Sequence, residues 1–384
     1  MPLHELIGTL LSVQPGQKSF LSIYLDLTAD GRGKKRHTLF LKNRLSEIIK
    51  TLPAHSREQT SLARDFKRVQ KYLEEDLDPA WKGIALFACA PEDLFLAVPM
   101  PLPPANALSL SSHPHLFSLA QQAGLYEPYA VLVADSRQAR LFVIQEGRPE
   151  KQVTLFWEDR HTTRFGRMGL SHQKFQRHIQ EHVKQRAKET VENLGKLIGR
   201  RKIEHLFLVA EEGMEGEIQK QLPLSWKKKP VPLTSLAPHD PDHRILSGAL
   251  EALQTISREK AEALAREIIE EAQPLGRATL GAEPTLSALQ NRQVEHLVLE
   301  SQFNATGWHC LGCGYLGMGG VPSSCPLCQG TTQPVELREE IIWRAQSPGI
   351  EISFPENFAP LVKAGGIGAR LKFKFSRTKS RGAT

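Results

Sequence analysis

The chain reads as an α/β protein of three mixed α/β domains in a row, and three observations predict this. Its 384 residues exceed what one ordinary hydrophobic core serves. Short apolar runs of strand character alternate with longer amphipathic helical patterns. Four cysteines stand in two tight pairs late in the chain, where a metal rather than a core would hold the backbone. The expected boundaries are residues 1–127, 128–256 and 257–384, the last with a disordered basic tail, "FSRTKSRGAT".

In the first domain, "SFLSIYLDL" (Ser19–Leu27) has the apolar run of a strand, and "LFLKNRLSEIIKTL" (Leu39–Leu52) that of a helix. A second helical pattern covers Ala63–Leu77, and Lys82–Ala90 gives another strand. The proline-rich "VPMPLPPANALSL" (Val98–Leu110) cannot continue a helix and predicts an extended connection. In the second domain, Tyr129–Asp135 and Ala139–Gly147 are strands joined by a tight turn, a hairpin. Phe175, Ile179, Val183, Ala187, Val191, Leu194 and Ile198 recur at helical spacing, the buried stripe of a long amphipathic helix. Ile203–Glu211 is a strand again. The third domain opens within the charged helix Ser257–Ala272 and continues through a helix, the strand Val294–Leu299 and two C-terminal strands in "GIEISF" and "GGIGARLKFKF". The glycines of the last string predict a close backbone approach rather than a phosphate cradle.

Composition narrows the class. Forty per cent hydrophobic residues support real cores, and no apolar run is long enough for a transmembrane helix. The start, "MPLHELIGTLLSVQPGQ", lacks the cationic region and cleavage site of a signal peptide, which points to the cytoplasm. A net charge of +7 favours an anionic partner. That charge is concentrated: from Arg160 to Lys202 twelve Lys or Arg face three Glu, a balance of +9, so the rest of the chain is slightly acidic. Such a patch fits a phosphate backbone. His178 and His182 have the spacing of a metal pair but no HExxH context, so a surface role is expected. GxSxG, Walker and dinucleotide-binding patterns are absent from the sequence.

Cys310-x₂-Cys313 and Cys325-x₂-Cys328 have the spacing of two metal-binding knuckles. Paired thiolates two residues apart occupy adjacent corners of a tetrahedron, and four of them leave no open position, so a structural Zn2+ is expected. Gly314 and Gly330 would supply the freedom to turn after each pair. Cys89, in an apolar strand, should be a buried small hydrophobe.

The stretch Gly166-Arg167-Met168-Gly169-Leu170-Ser171-His172-Gln173-Lys174-Phe175-Gln176-Arg177 resembles the GRGGQ-S-x-x-R-F-x-R pattern of the archaeo-eukaryotic peptide-chain release factor and Pelota superfamily, in its bacterial, Balon-like branch. Gly166, Arg167, Gly169, Ser171, Phe175 and Arg177 match in register. The later strings "GAEPTLSALQNRQVEHLVL" and "GGIGARLKF" resemble the family's C-terminal α/β/α sandwich, and the cysteines, a zinc ribbon at about 306–332, fall where release factors carry an insertion. The resemblance implies a monomeric, ribosome-associated factor that occupies the A site, a hibernation or stress factor, with elongation factor Tu or another translational GTPase as a partner and no membrane. It implies that Arg164, Gly166, Arg167, Gly169, Lys174, Arg177, Lys184 and Arg186 meet RNA. In release factors the glutamine of the GGQ tip places the attacking water. The aligned Leu170 has neither donor nor acceptor, so no catalytic residue is expected. The alternative is a peptidyl-tRNA hydrolase or tRNA nuclease acting through Gln173 or His172. The first domain has no NIKS-like string, against stop-codon reading.

Overall fold

A computed structural model describes residues 3–12, 20–29, 37–157, 172–227, 230–273 and 276–373. It contains α-helices, four β-sheets and short 3-10 turns, the mixed α/β class the sequence predicts. Two compact units emerge. Residues 124–255 form one, and residues 1–123 together with 256–384 form the other.

The first segment holds α1 (Leu3–Ser12), β1 (Phe20–Asp26), α2 (His37–Thr51), α3 (Arg57–Glu75), β2 (Gly83–Cys89), β3 (Leu94–Met100), β4 (Ala107–Ser111) and α4 (Phe117–Gln121). Its antiparallel sheet has the order β3-β2-β1-β4. β1 and β2 lie in the middle and are covered on both faces, which explains their unbroken apolar runs in place of alternation. Leu41 of α2 and Leu62, Phe66 and Val69 of α3 close over Leu21, Ile23, Leu25, Ile84 and Leu86. α3 starts at Ser56, whose hydroxyl accepts from Gln59 N–H at 3.1 Å, while Gln59 Oε1 accepts from His55 N–H at 2.8 Å. Cys89 is fully buried, as expected. The proline-rich string departs from expectation: it is extended, but its two ends are strands β3 and β4, not a connection. Both are edges, the place where Pro99, with no N–H to donate, can sit in a sheet.

The middle unit holds β5 (Tyr129–Ala134), β6 (Gln138–Gln145), β7 (Arg148–Phe156), α5 (His172–Ile198), β8 (His205–Ala210), α6 (Glu212–Gln221), β9 (Pro230–Pro232) and the start of α7 (Asp242–Glu271). The sheet order is β7-β6-β5-β8-β9. The expected hairpin is β5-β6, paired Ala134 to Ala139, and β8 joins β5 in parallel. Ala187, Val191, Leu194 and Ile198 of α5 are buried against Leu132, Leu141 and Leu208.

The last segment holds β10 (Ala278–Leu280), α8 (Ala282–Gln290), β11 (Val294–Leu299), β12 (Thr306–Cys310), β13 (Leu316–Met318), β14 (Thr332–Glu336), α9 (Leu337–Gln346), β15 (Glu351–Ser353), α10 (Ala359–Lys363) and β16 (Ile367–Leu371). One sheet runs β10-β16-β11-β15, and a separate three-stranded sheet, β13-β12-β14, carries the cysteines. Gly365 (φ +100°) lies so close to the chain that an added Cβ would meet Gly281 Cα at 3.2 Å, the close approach predicted for this string.

Within this second unit, a buried polar clasp joins the segment after β4 to α9. Glu339 accepts from the N–H groups of Leu116 (2.8 Å) and Phe117 (3.2 Å). His113 Nε2 lies 2.9 Å from Glu340, and its Nδ1 faces the Pro114 carbonyl at 3.3 Å. Both ring nitrogens face oxygen atoms, an arrangement that favours the protonated, cationic ring. Burial opposes that charge, but the Glu340 hydrogen bond raises the His113 pKa above its ordinary value. Burial would also raise Glu340, yet His113 and Arg344 hold it down at about 2. At Glu339 burial outweighs the N–H groups of Leu116 and Phe117 and the charge of Arg338, and pushes it up to about 7.

Candidate metal centre and nucleic-acid interface

The three-stranded sheet exists to present two knuckles. β12 ends at Cys310, the chain turns through Gly314 at φ +72°, and β13 returns antiparallel to β12. The second knuckle, Cys325 to Cys328, leads back through Gln329 to β14 on the other side of β12. The four Sγ atoms all lie within 4.8 Å of one another. Cys310 and Cys328 are 3.4 Å apart, Cys313 and Cys325 3.7 Å. Disulfide sulfurs would be about 2.05 Å apart, whereas a tetrahedron of Zn–S bonds of ~2.3 Å has edges of roughly 3.8 Å. The quartet therefore fits a tetrahedral divalent cation and not a pair of disulfides.

The chemistry of the donors agrees. Gly312 and Cys313 N–H groups point at Cys310 Sγ, at 3.3 and 3.5 Å. The Cys313 N–H leads the groups that hold the Cys310 thiol down at about 6 against burial. At Cys313 a hydrogen bond with the Tyr315 backbone pulls downward, but burial and the three neighbouring sulfurs push the thiol up to about 12. A divalent cation held by Cys310, Cys313, Cys325 and Cys328 would take all four as thiolates.

One expectation needs correcting. Gly314 does supply left-handed backbone, but in the second knuckle that conformation belongs to Gln329 (φ 61°), not Gly330. Gly330 matters for a different reason: a Cβ there would stand 3.2 Å from Cys328 Sγ and 3.3 Å from Cys310 Sγ. Spacing alone gave no hint of this steric role. Nor did it single out the clasp residues His113, Glu339 and Glu340, whose only trace is a histidine and an acidic pair in otherwise plain strings.

The cationic tip lies outside the described residues, and with it Arg164, Gly166, Arg167 and Gly169. His172, Gln173 and Lys174 form the first turn of α5, and Arg177 and Lys184 are exposed further along. α5 has 27 residues, so it is about 40 Å long at ~1.5 Å per residue. Arg177, Lys184 and Lys188 share one face by their i, i+7, i+11 spacing. Among the described residues Arg177 and Lys184, with Lys196 and Arg200, have no ion-pair partner, in contrast to Arg201 with Glu150 and Lys202 with Glu204. Arg186 is different. It donates to the Ser136 carbonyl and its guanidinium sits 5.6 Å above the Trp157 ring.

The basic helix α5 packs on a β5-β6-β7 meander extended by β8. Residues 114–254 match the model of the bacterial archaeo-eukaryotic release factor family 10. No curated protein matches the chain. Solved structures it is similar to include the archaeal translation termination factor aRF1, at 13% identity over 97% of both chains with a TM-score of 0.27. Pelota of Archaeoglobus fulgidus shares 11% identity over 76% of this chain and 79% of that one, TM-score 0.36. Ribosome-bound archaeal Pelota, described together with ABCE1, shares 10% over 97% and 95%, TM-score 0.41. Among the described residues no helix is long and apolar enough to cross a membrane.

Proposed function

We propose that this protein is a ribosome-associated factor that enters the A site as release factors and Pelota do, and acts there in hibernation or stress without releasing peptide. The observation that carries the reading is the release-factor match over residues 114–254, within which the tip keeps Arg167 and Gly169 but has Leu170 where the reactive glutamine would be. Arg164, Gly166, Arg167, Gly169 and Lys174 grip ribosomal RNA at the tip, and Arg177 and Lys184 extend the contact along α5. Phosphate attraction supplies the affinity, and the positive end of the α5 dipole adds to it. The side-chain amide of Gln173 and the imidazole of His172 perform no chemistry.

The four cysteines hold Zn2+, a structural ion in a closed site that orders the ribbon and takes no part in any reaction. The three-domain division at 127/128 and 256/257 accompanies this reading, as do a cytoplasmic location, a monomeric state and delivery by elongation factor Tu or another translational GTPase.

Co-sedimentation with purified ribosomes at several salt concentrations tests the core of the proposal. Replacing Arg164, Arg167, Lys174 and Arg177 together by alanine is expected to weaken association and flatten its salt dependence. Incubation with ribosome–nascent-chain complexes tests the rest. Wild type should leave the peptidyl-tRNA ester intact. Peptide release that disappears in Gln173→Ala would establish the hydrolase instead.

A further inference from the structure

Helix α9 belongs to two structures at once. On one side it continues the cysteine sheet. β14 passes into α9 with no residue between them, and β14 pairs with β12 from Thr306↔Glu336 to Cys310↔Thr332. The first residue of α9, Leu337, is fully buried. Its N–H donates to the Ala305 carbonyl at 3.1 Å, and its Cδ1 stands 2.9 Å from where a Cβ on Gly307 would be. The helix therefore begins packed on the backbone of β12, the strand that ends at Cys310. On the other side, α9 holds residues 113–117 of the first segment. Arg338 lies over the Phe117 ring, Glu339 accepts from the N–H groups of Leu116 and Phe117, Glu340 pairs with His113, and Trp343 stacks on the His113 ring at 5.4 Å. Glu339 and Glu340 stand in the first turn, directly after Leu337 and Arg338.

The clasp cannot yield by degrees. Glu339, Glu340 and His113 are buried, so a displaced α9 leaves these groups in the interior without partners, a cost that favours a clean break over a stretched contact. We propose that the cysteine quartet and the clasp are coupled through α9, so that a divalent cation gathered by the four thiolates also secures the first segment against the last. This rests on the metal reading of Cys310, Cys313, Cys325 and Cys328 and goes beyond it, because the ion then orders more than its own ribbon. Glu339, Glu340 and His113 are positioning residues for the quartet, acting through Leu337 and β14. The coupling is reciprocal: an ion that favours the closed clasp binds more tightly when the clasp is closed. The cationic finger, the tip with the outward face of α5, takes no part in it.

The test uses the full-length protein at one fixed pH, with amide hydrogen exchange and metal release as readouts. Removing Zn2+ with a chelator should raise exchange at Leu116 and Phe117 by at least about fivefold, the lower end of typical couplings between sites. The amides of β1 and β2, in the middle of the first sheet, should keep their protection. In the reverse direction, Glu339→Ala removes the acceptor for both N–H groups and should speed loss of Zn2+ to the same chelator by a similar factor. Glu339→Gln, which keeps an acceptor oxygen, should restore most of the retention. Protection of β1 and β2 in Glu339→Ala shows that this variant is folded; if it does not fold, exchange in the wild type decides alone. Exchange at Leu116 and Phe117 that ignores the chelator overturns the proposal, as does metal release indifferent to Glu339→Ala. Loss of protection throughout the first sheet on chelation also overturns it, since the ion would then support the whole unit and not this junction. Purified protein that takes up no Zn2+ is a separate result: it removes the metal reading, and the coupling falls with it.

Discussion

Gly330 and Gly314 flank the same sulfur quartet, yet their substitution should have different consequences. At Gly330 a methyl group would press on two ligand sulfurs, at 3.2 and 3.3 Å. Gly330→Ala should therefore spread the quartet and accelerate removal of the metal by a chelator several-fold, read with a zinc-sensitive dye. At Gly314 an added Cβ meets nothing within 4 Å, and only the φ of +72° resists it. Gly314→Asn, a residue that tolerates this conformation, should retain metal as wild type does, whereas Gly314→Ala carries about 1 kcal/mol of backbone strain. Equal metal loss from Gly330→Ala and Gly314→Asn would show that the sulfurs have room to move. The cysteine spacing made the cluster legible because C-x₂-C is a local constraint. The role of Gly330 was not legible, because it arises where two knuckles 15 residues apart in sequence meet through space.

Among the elements, the contact between α9 and the strap leading into α4 should respond to pH. The sign follows from two groups. Glu339 has its pKa raised to about 7 by burial, and His113 is raised through its Glu340 hydrogen bond. Each binds its proton more tightly in the closed clasp than in the unfolded chain. The closed form is thus favoured at lower pH, and that advantage disappears as pH climbs through the folded values. Glu340, held at about 2, stays ionised across this window. His115, pushed down to about 4 by burial and by its neighbour His113, stays neutral. Of the other charges packed here, Arg338 lies over the Phe117 ring at 4.1 Å and Arg344 donates to Glu340 at 2.8 Å. Amide hydrogen exchange at Leu116 and Phe117, corrected for its intrinsic pH dependence, should show protection decreasing from pH 6 to pH 8. Glu339→Gln keeps an acceptor oxygen without the proton and should remove most of that slope; a slope unaltered in this variant would assign it elsewhere. Of the elements entering the clasp, β4 lies in the string expected to be an extended connection, and α4 and α9 were not singled out by periodicity; their junction was not legible either, since Leu116 and Glu339 are 223 residues apart. Periodicity also undercounted α7. Its first turns, from Asp242, carry a weaker charge pattern than the Ser257–Ala272 stretch, and the helix runs on through both.

At the scale of the whole molecule, charge separates what binds from what folds. The balance of +9 between Arg160 and Lys202 was legible in the sequence, but which cations face solvent depends on how α5 packs. Lys184 is exposed, and Lys184→Ala should weaken ribosome association uniformly and reduce the salt slope by roughly one phosphate contact's share, with the melting temperature unchanged. Arg186, two residues on, faces the sheet side of the helix and ties α5 to the β5-β6 turn at Ser136 and to Trp157 after β7. A hydrogen bond of about 1 kcal/mol and a cation–π contact of ~0.5–1 kcal/mol are lost in Arg186→Ala. Its melting temperature should drop by a few degrees, with any effect on ribosome binding following from the fold. Parallel thermal melts and salt-dependent sedimentation of the two variants decide the matter. If Lys184→Ala melts early, or Arg186→Ala reduces the salt slope while its melting temperature holds, then α5 does not divide its cations between grip and scaffold, and the outward face of the helix loses its claim to be the extension of the finger.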